Sequence, residues 1–118
     1  YGYEGPAFGD TLQAVRGHQM TDPFADVGES DLTAHVDFAM LANIGRQAAV
    51  RVAGPVGQGA FLTALGIDVR ASLLGREAPD RAEEVEAARA RLTAPDQMGT
   101  LFKVLSYAHP DWATPEGF

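Results

Sequence analysis

A chain of 118 residues with 46% hydrophobic content has enough material for one modest domain and no more. Nine Lys and Arg against sixteen Asp and Glu give a formal net charge of −7, which argues against a grip on phosphate backbones and so against a nucleic-acid partner. Cys is absent, which excludes a disulfide framework, a thiolate metal site and a cysteine nucleophile together. No stretch approaches the roughly 18 consecutive apolar residues of a membrane span. The residues given also open without a basic-then-apolar leader, so a soluble protein is expected, cytoplasmic by default.

The opening Tyr1-Gly2-Tyr3-Glu4-Gly5-Pro6 reads as a Gly/Pro turn after an upstream strand, and implies an internal start. Residues 11–16 alternate enough for a short strand. Residues 21–29 carry Pro, Gly and three acids without periodicity and predict an exposed loop. In residues 31–36, Leu32, Ala34 and Val36 alternate with Thr33 and His35, the pattern of a second strand. From Phe38 the period changes: Phe38, Leu41, Ala42, Gly45, Ala48 and Ala49 form a helical stripe, with Asp37 placed as its N-cap.

Residues 50–53 predict a buried strand ended by a forced turn at Gly54-Pro55. Gly57-Gln58-Gly59 then opens a helix with Phe61, Leu62 and Leu65 on one side and Gly66 as C-cap. A short helix is expected over 68–74. A stronger one covers 79–92, with Pro79 at N1, acids early and Arg89 and Arg91 late, as the helix dipole favours. After Met98-Gly99, residues 100–107 have the best strand composition in the chain. The Pro-rich tail from His109 should run over the surface, with Trp112 packing it down or, alternatively, meeting a partner. No internal repeat or second domain is visible, and the acidic helix reads as a solvated face.

Four ordered words carry a resemblance: Gly9-Asp10-Thr11-Leu12-Gln13-Ala14-Val15, Asp31-Leu32-Thr33-Ala34-His35-Val36-Asp37-Phe38, Gly59-Ala60-Phe61-Leu62 with Leu65-Gly66-Ile67, and Gly99-Thr100-Leu101-Phe102-Lys103-Val104-Leu105. In this order they resemble the C-terminal part of the MidA-type, complex I assembly factor-like family of class I S-adenosylmethionine-dependent methyltransferases. The resemblance implies that residues 1–118 are a single partial domain of the catalytic fold: α/β, Rossmann-like and three-layered (α/β/α), its sheet mostly parallel with a late antiparallel strand at 100–107. It also implies S-adenosylmethionine as cofactor. In the family a glycine-rich turn on the first strand and an acid on the second hold the donor, and neither is in this chain, so no cofactor-binding residue is expected here. The family's Asp-Tyr-Gly turn is represented by Tyr1-Gly2, so its fifth strand should survive only as an exit turn. Gly57 departs from the pattern, which has Thr there.

Methyl transfer from a sulfonium needs alignment of nucleophile, methyl carbon and sulfur more than acid–base help. An arginine acceptor also needs groups to hold the guanidinium and draw off its proton. Asp10, Asp31 and Asp37 are the acids within the family words. The substrate-pocket candidates are Tyr1, His18, His35, Asp37 and Gln58, and no residue is assigned a catalytic role. Each has a plainer alternative. Asp37 suits a helix cap. His35 faces away from the apolar side of its strand, toward a pocket or toward water. His18 could meet His35 if their strands form a hairpin, but a third metal ligand is lacking and no metal is expected. Gln58 could touch substrate or satisfy local backbone groups. The run from Gly54 to Gly59 lacks the Lys of a phosphate loop, and a sharp strand-to-helix turn accounts for its glycines.

The resemblance implies a protein substrate, with mitochondrial relatives acting on an arginine of a respiratory complex I subunit. A bacterial protein would then be cytoplasmic, a eukaryotic one in the mitochondrial matrix. The alternative is a non-enzymatic assembly module on the same scaffold. A portion of this fold should expose strand edges and apolar helix faces, to be covered by further chain or by a homo-oligomer.

Overall fold

The computed structural model describes residues 1–5, 9 and 11–118, so Pro6, Ala7, Phe8 and Asp10 lie outside the described residues. Tyr1-Gly2 is more than an exit turn: Gly2–Tyr3 is a strand, β1, and it pairs in parallel with β5, Val36–Asp37. The correction has a local cause. A Cβ at Gly2 would fall on the Val36 backbone, so glycine allows the two chains to approach.

Between β1 and β5 lies an antiparallel sheet of β2 (Gln13–Arg16), β3 (Gln19–Thr21) and β4 (Asp31–Thr33), in the order β3-β2-β4. Strand β3 falls at the edge of the expected loop. Gly17 and His18, at φ 56° and 63°, turn β2 tightly onto it, as a two-residue hairpin requires. Ala14, in the central strand, is fully buried.

Asp37 then ends the strand and caps helix α1, Phe38–Gln47, its carboxylate accepting from the Met40 N–H at 2.9 Å. The helix buries Phe38, Ala42 and Gly45, the i, i+4, i+7 stripe, and stops before Ala48 and Ala49. At Gly45 an added Cβ would fall on the Tyr107 ring and stand 2.8 Å from Val52 Cγ2, so glycine lets these two side chains pack directly against the helix backbone.

The expected break at Gly54-Pro55 does not end the next strand. Strand β6 runs Arg51–Gly57 and pairs antiparallel with β7, Lys103–Ala108, across an irregularity between Ala53 and Val56. Proline has no N–H to give the ladder, and the bulge absorbs it without ending the pairing. Gly54, at φ 87°, has the Val104 carbonyl where a Cβ would go. The late strand is therefore antiparallel to its neighbour, as its place in the family fold implies.

Helices α2 (Gln58–Ala64), α3 (Ile67–Glu77) and α4 (Ala82–Thr93) follow, with Gly66 at φ 86° between the first two and a 3₁₀ turn over Pro79–Arg81 before the third. A short helix α5, Met98–Leu101, replaces the expected start of the last strand. The tail is fixed by Phe118, whose ring lies 5.2 Å from that of Phe61. Trp112 stays 68% exposed and does not pack the tail down.

The core is thin. Among the described residues, Ala14, Phe38, Ala42 and Ala53 are the buried apolar ones, while Met40, Ile44, Val69 and Leu73 are exposed on α1 and α3. The radius of gyration is 17.9 Å, where a compact chain of this length would have about 13.5 Å. The accessible surface is 8360 Å², against about 6,200 Å² expected for the mass. The chain is thus a slab, 46 × 45 × 23 Å, with apolar helix faces open to solvent.

Candidate functional site

The parallel pair β1–β5 brings together Tyr1, Tyr3 and His35. Tyr1 and His35, each just ahead of its strand, meet edge to face with ring centres 4.9 Å apart. Tyr3 approaches the same imidazole at 6.3 Å, and Phe102, just ahead of β7, meets Tyr1 at 6.1 Å. The Tyr1 hydroxyl lies 2.6 Å from Thr33 Oγ1 and donates to Gln13 Oε1 at 3.1 Å. With Thr33 donating to Tyr1, one chain of hydrogen bonds ties β1 to β2 and β4. Lys103 Nζ donates to the Gly2 carbonyl at 3.1 Å and to the Thr100 carbonyl at 3.4 Å, joining the two ends of the sequence. The result is a half-buried aromatic wall with one imidazole in it.

The other sequence-derived candidates are placed elsewhere. Asp37 follows His35 on β5, but one carboxylate oxygen is committed to the α1 cap. Gln58 begins α2; its Nε2 donates to the Leu92 carbonyl at 2.9 Å and its N–H to the Phe102 carbonyl at 2.9 Å. It therefore satisfies backbone, though distant rather than local backbone. His18 sits at the β2–β3 turn. Strands β2 and β4 do pair, yet with Gln13 opposite Thr33 and Val15 opposite Asp31. Extending that register sets His35 beside Thr11 and His18 beside Gly28, about 24 Å apart along the ladder. The meeting of the two histidines that a hairpin of their strands would allow does not follow from this register. Among the described residues, no three His, Asp or Glu side chains gather as metal ligands would. Tyr3, Phe102, Thr33, Gln13 and Lys103 were not singled out by sequence reasoning. Gln13, Thr33, Phe102 and Lys103 do lie within the four family words, and the alternation of Tyr1-Gly2-Tyr3 is that of a strand.

Among the described residues, the glycine-rich turn around Gln58 does not form a phosphate-type cradle. A Cβ at Gly57 would stand 2.8 Å from the Gly99 carbonyl oxygen, and one at Gly59 would fall on the Thr93 carbonyl. These glycines are used by close contact with the α4–α5 connection, which leaves no cradle for a ligand. The cleft of about 330 Å³ between α3 and α4, lined by Ile67, Leu74, Val85 and Leu92 among others, shares no residue with the aromatic wall. At its rim, Arg89 bridges the helices: it donates to Asp68 at 3.0 Å and grips Glu86 with two nitrogens. Hydrogen bonding to these carboxylates raises the Arg89 pKa, and the same bonds lower that of Glu86.

Comparison with known proteins gives this arrangement a context. Residues 1–56 match the family described as "Putative S-adenosyl-L-methionine-dependent methyltransferase". The chain is 38% identical over 99 residues to the mitochondrial protein arginine methyltransferase NDUFAF7 homologue of Drosophila melanogaster, covering 82% of this chain and 23% of that protein. It is 38% identical over 108 residues to the Xenopus laevis protein arginine methyltransferase NDUFAF7, covering 90% of this chain and 24% of that one. A solved structure described as a "likely methyl transferase from Burkholderia thailandensis bound to S-adenosyl-homocysteine" superposes with a TM-score of 0.81 at 28% identity, covering 92% of this chain and 28% of that chain. The chain thus spans about a quarter of the length of the relatives it matches. The fold is that of a methyltransferase-like α/β protein. Within that class, the chain belongs to the MidA-type family of S-adenosylmethionine-dependent methyltransferases.

Proposed function

We propose that the chain is the C-terminal portion of an S-adenosylmethionine-dependent protein arginine methyltransferase. It contributes acceptor-side residues, and the donor is held mainly by sequence outside these 118 residues. The observation that carries this reading is the 38% identity, over most of the chain, to relatives named protein arginine methyltransferases. The substrate is then a protein, and at the finest level an arginine of a respiratory complex I-type subunit. A bacterial source would put the reaction in the cytoplasm, a eukaryotic one in the mitochondrial matrix. No helix is long and apolar enough to cross a membrane among the described residues.

When bound, the donor supplies an electrophilic methyl group. The chain's own contribution is positioning. The faces of Tyr1 and Tyr3 offer a planar guanidinium a stacking surface and keep water from it. His35, held edge-on against Tyr1, offers an imidazole nitrogen that can take a proton from the acceptor nitrogen. The open apolar faces of α1 and α3 suit coverage by the rest of the enzyme, with a second copy as the other candidate cover.

The test is methyl transfer by the full-length protein from a methyl-labelled donor to protein acceptors, followed by amino-acid analysis. Labelled methylarginine is expected, and His35→Ala should lower kcat. Labelled methyllysine would overturn the acceptor assignment. Absence of any transfer, with partner binding retained, would favour the assembly-module reading.

A further inference from the structure

The β2–β3 turn, strand β3 and the segment that follows take no part in the aromatic wall, yet among the described residues of the chain's first half they carry the most exposed large apolar side chains. Phe24 is 81% exposed, Val27 88% and Met20 65%. Large exposed apolar side chains mark an interaction site where they gather in a patch. Their presentation is fixed rather than loose. The Ala25 N–H donates to the Asp22 carbonyl at 3.1 Å and the Glu29 N–H to the Asp26 carbonyl at 2.9 Å, giving two successive turns. The Phe24 N–H donates to the Asp22 carboxylate at 2.8 Å. Arg16, on β2, holds Asp26 at 3.0 Å and Glu29 at 3.7 Å, pinning the segment to the sheet.

Charge selects the occupant. Residues 16–31 hold four acids, Asp22, Asp26, Glu29 and Asp31, against a single arginine, and that arginine is already paired. A segment that exposes apolar side chains among acids disfavours an acidic partner and anionic surfaces, and favours a partner that is both apolar and basic.

We propose that Phe24, Val27 and Met20, rimmed by Asp22, Asp26, Glu29 and Asp31, form a docking surface for a basic, apolar segment of the protein substrate. The proposal rests on the methyltransferase reading and deepens it: the substrate would be gripped at a surface separate from the aromatic wall.

The experiment measures binding of fluorescent peptides to the full-length protein at low and high salt, using Arg/Leu-rich, Glu/Leu-rich and uncharged sequences. The Arg/Leu-rich peptide should bind best. Phe24→Ser with Val27→Ser should weaken it about tenfold or more, as loss of central apolar contacts does. Asp26→Asn with Glu29→Gln should weaken it less and flatten its salt dependence. Donor affinity, read by titration with S-adenosylhomocysteine, should be unchanged in every variant; no donor binding even by the unaltered protein would fault the methyltransferase reading instead. Equal binding of the acidic peptide, or variants without effect, would overturn the proposal. So would Phe24 protected from hydroxyl-radical footprinting in the free monomer, which would make the occupant the protein's own remaining chain. Self-association abolished by Phe24→Ser would make it a second copy.

Discussion

Thr33 Oγ1 lies 2.6 Å from the Tyr1 hydroxyl, across 32 positions of sequence. This contact and the 4.9 Å approach of Tyr1 to His35 fix the first residue of the chain against two sheets. Tyr1→Phe keeps the ring and removes the hydroxyl's bonds to both Thr33 and Gln13, so it should cost about 1–3 kcal/mol, the net worth of two half-buried hydrogen bonds. Thermal unfolding of Tyr1→Phe, Thr33→Val and the double variant checks it. The double variant should lose less than the sum of the two singles if the groups act together.

Gln58 is a stability residue whatever else it touches. Gln58→Leu strips the Leu92 carbonyl of its donor, and about 1–3 kcal/mol should be lost in denaturant unfolding. Gln58→Glu, which cannot donate from that atom when ionised, should do no better. Full stability in either variant would return Gln58 to the list of free pocket residues.

Gly99→Ala should be among the most damaging small substitutions, because its Cβ would fall on the Thr93 carbonyl. A loss of about 1–3 kcal/mol is expected from overpacking. Gly28→Ala, where φ is 92° but nothing lies near, should cost only the left-handed strain of about 1 kcal/mol. Differential scanning calorimetry of the two separates steric crowding from backbone strain.

Helix-forming segments were readable in the residues because their signals are local. The stripe from Phe38 with Asp37 ahead of it, and the acids-then-arginines order over 79–92, each describe a helix without reference to the rest of the chain. What depended on distant neighbours was not readable. Proline at position 55 has a strand on both sides only because β7 lies alongside. The partners of Tyr1 come from three separate segments, and no spacing rule relates them. His18 and His35 looked like possible neighbours because strand existence can be inferred from alternation, whereas register cannot. Trp112 seemed the natural fastener of the tail by size, yet Phe118 fills that role against Phe61.

The ion pairs of α4 set a pH dependence. Hydrogen bonding to Arg81 and Arg89 holds the Glu84 and Glu86 carboxyls below their ordinary value near 4.5. Their contribution is therefore complete above that value and fades as pH falls through the depressed ones. Circular dichroism of Arg81→Gln and Arg89→Gln should show a helix deficit relative to the parent at neutral pH that closes in acid. An unchanged gap at low pH would assign the deficit to lost packing.

The central claim is that these residues belong to a methyltransferase whose donor grip lies outside them. Photolabelling the full-length protein with an azidoadenosyl analogue of the donor, then mapping the labelled peptides, addresses it directly. Label confined to peptides outside residues 1–118 is the predicted result. Label concentrated between Gly54 and Gly59, or along the cleft of α3 and α4, would contradict it.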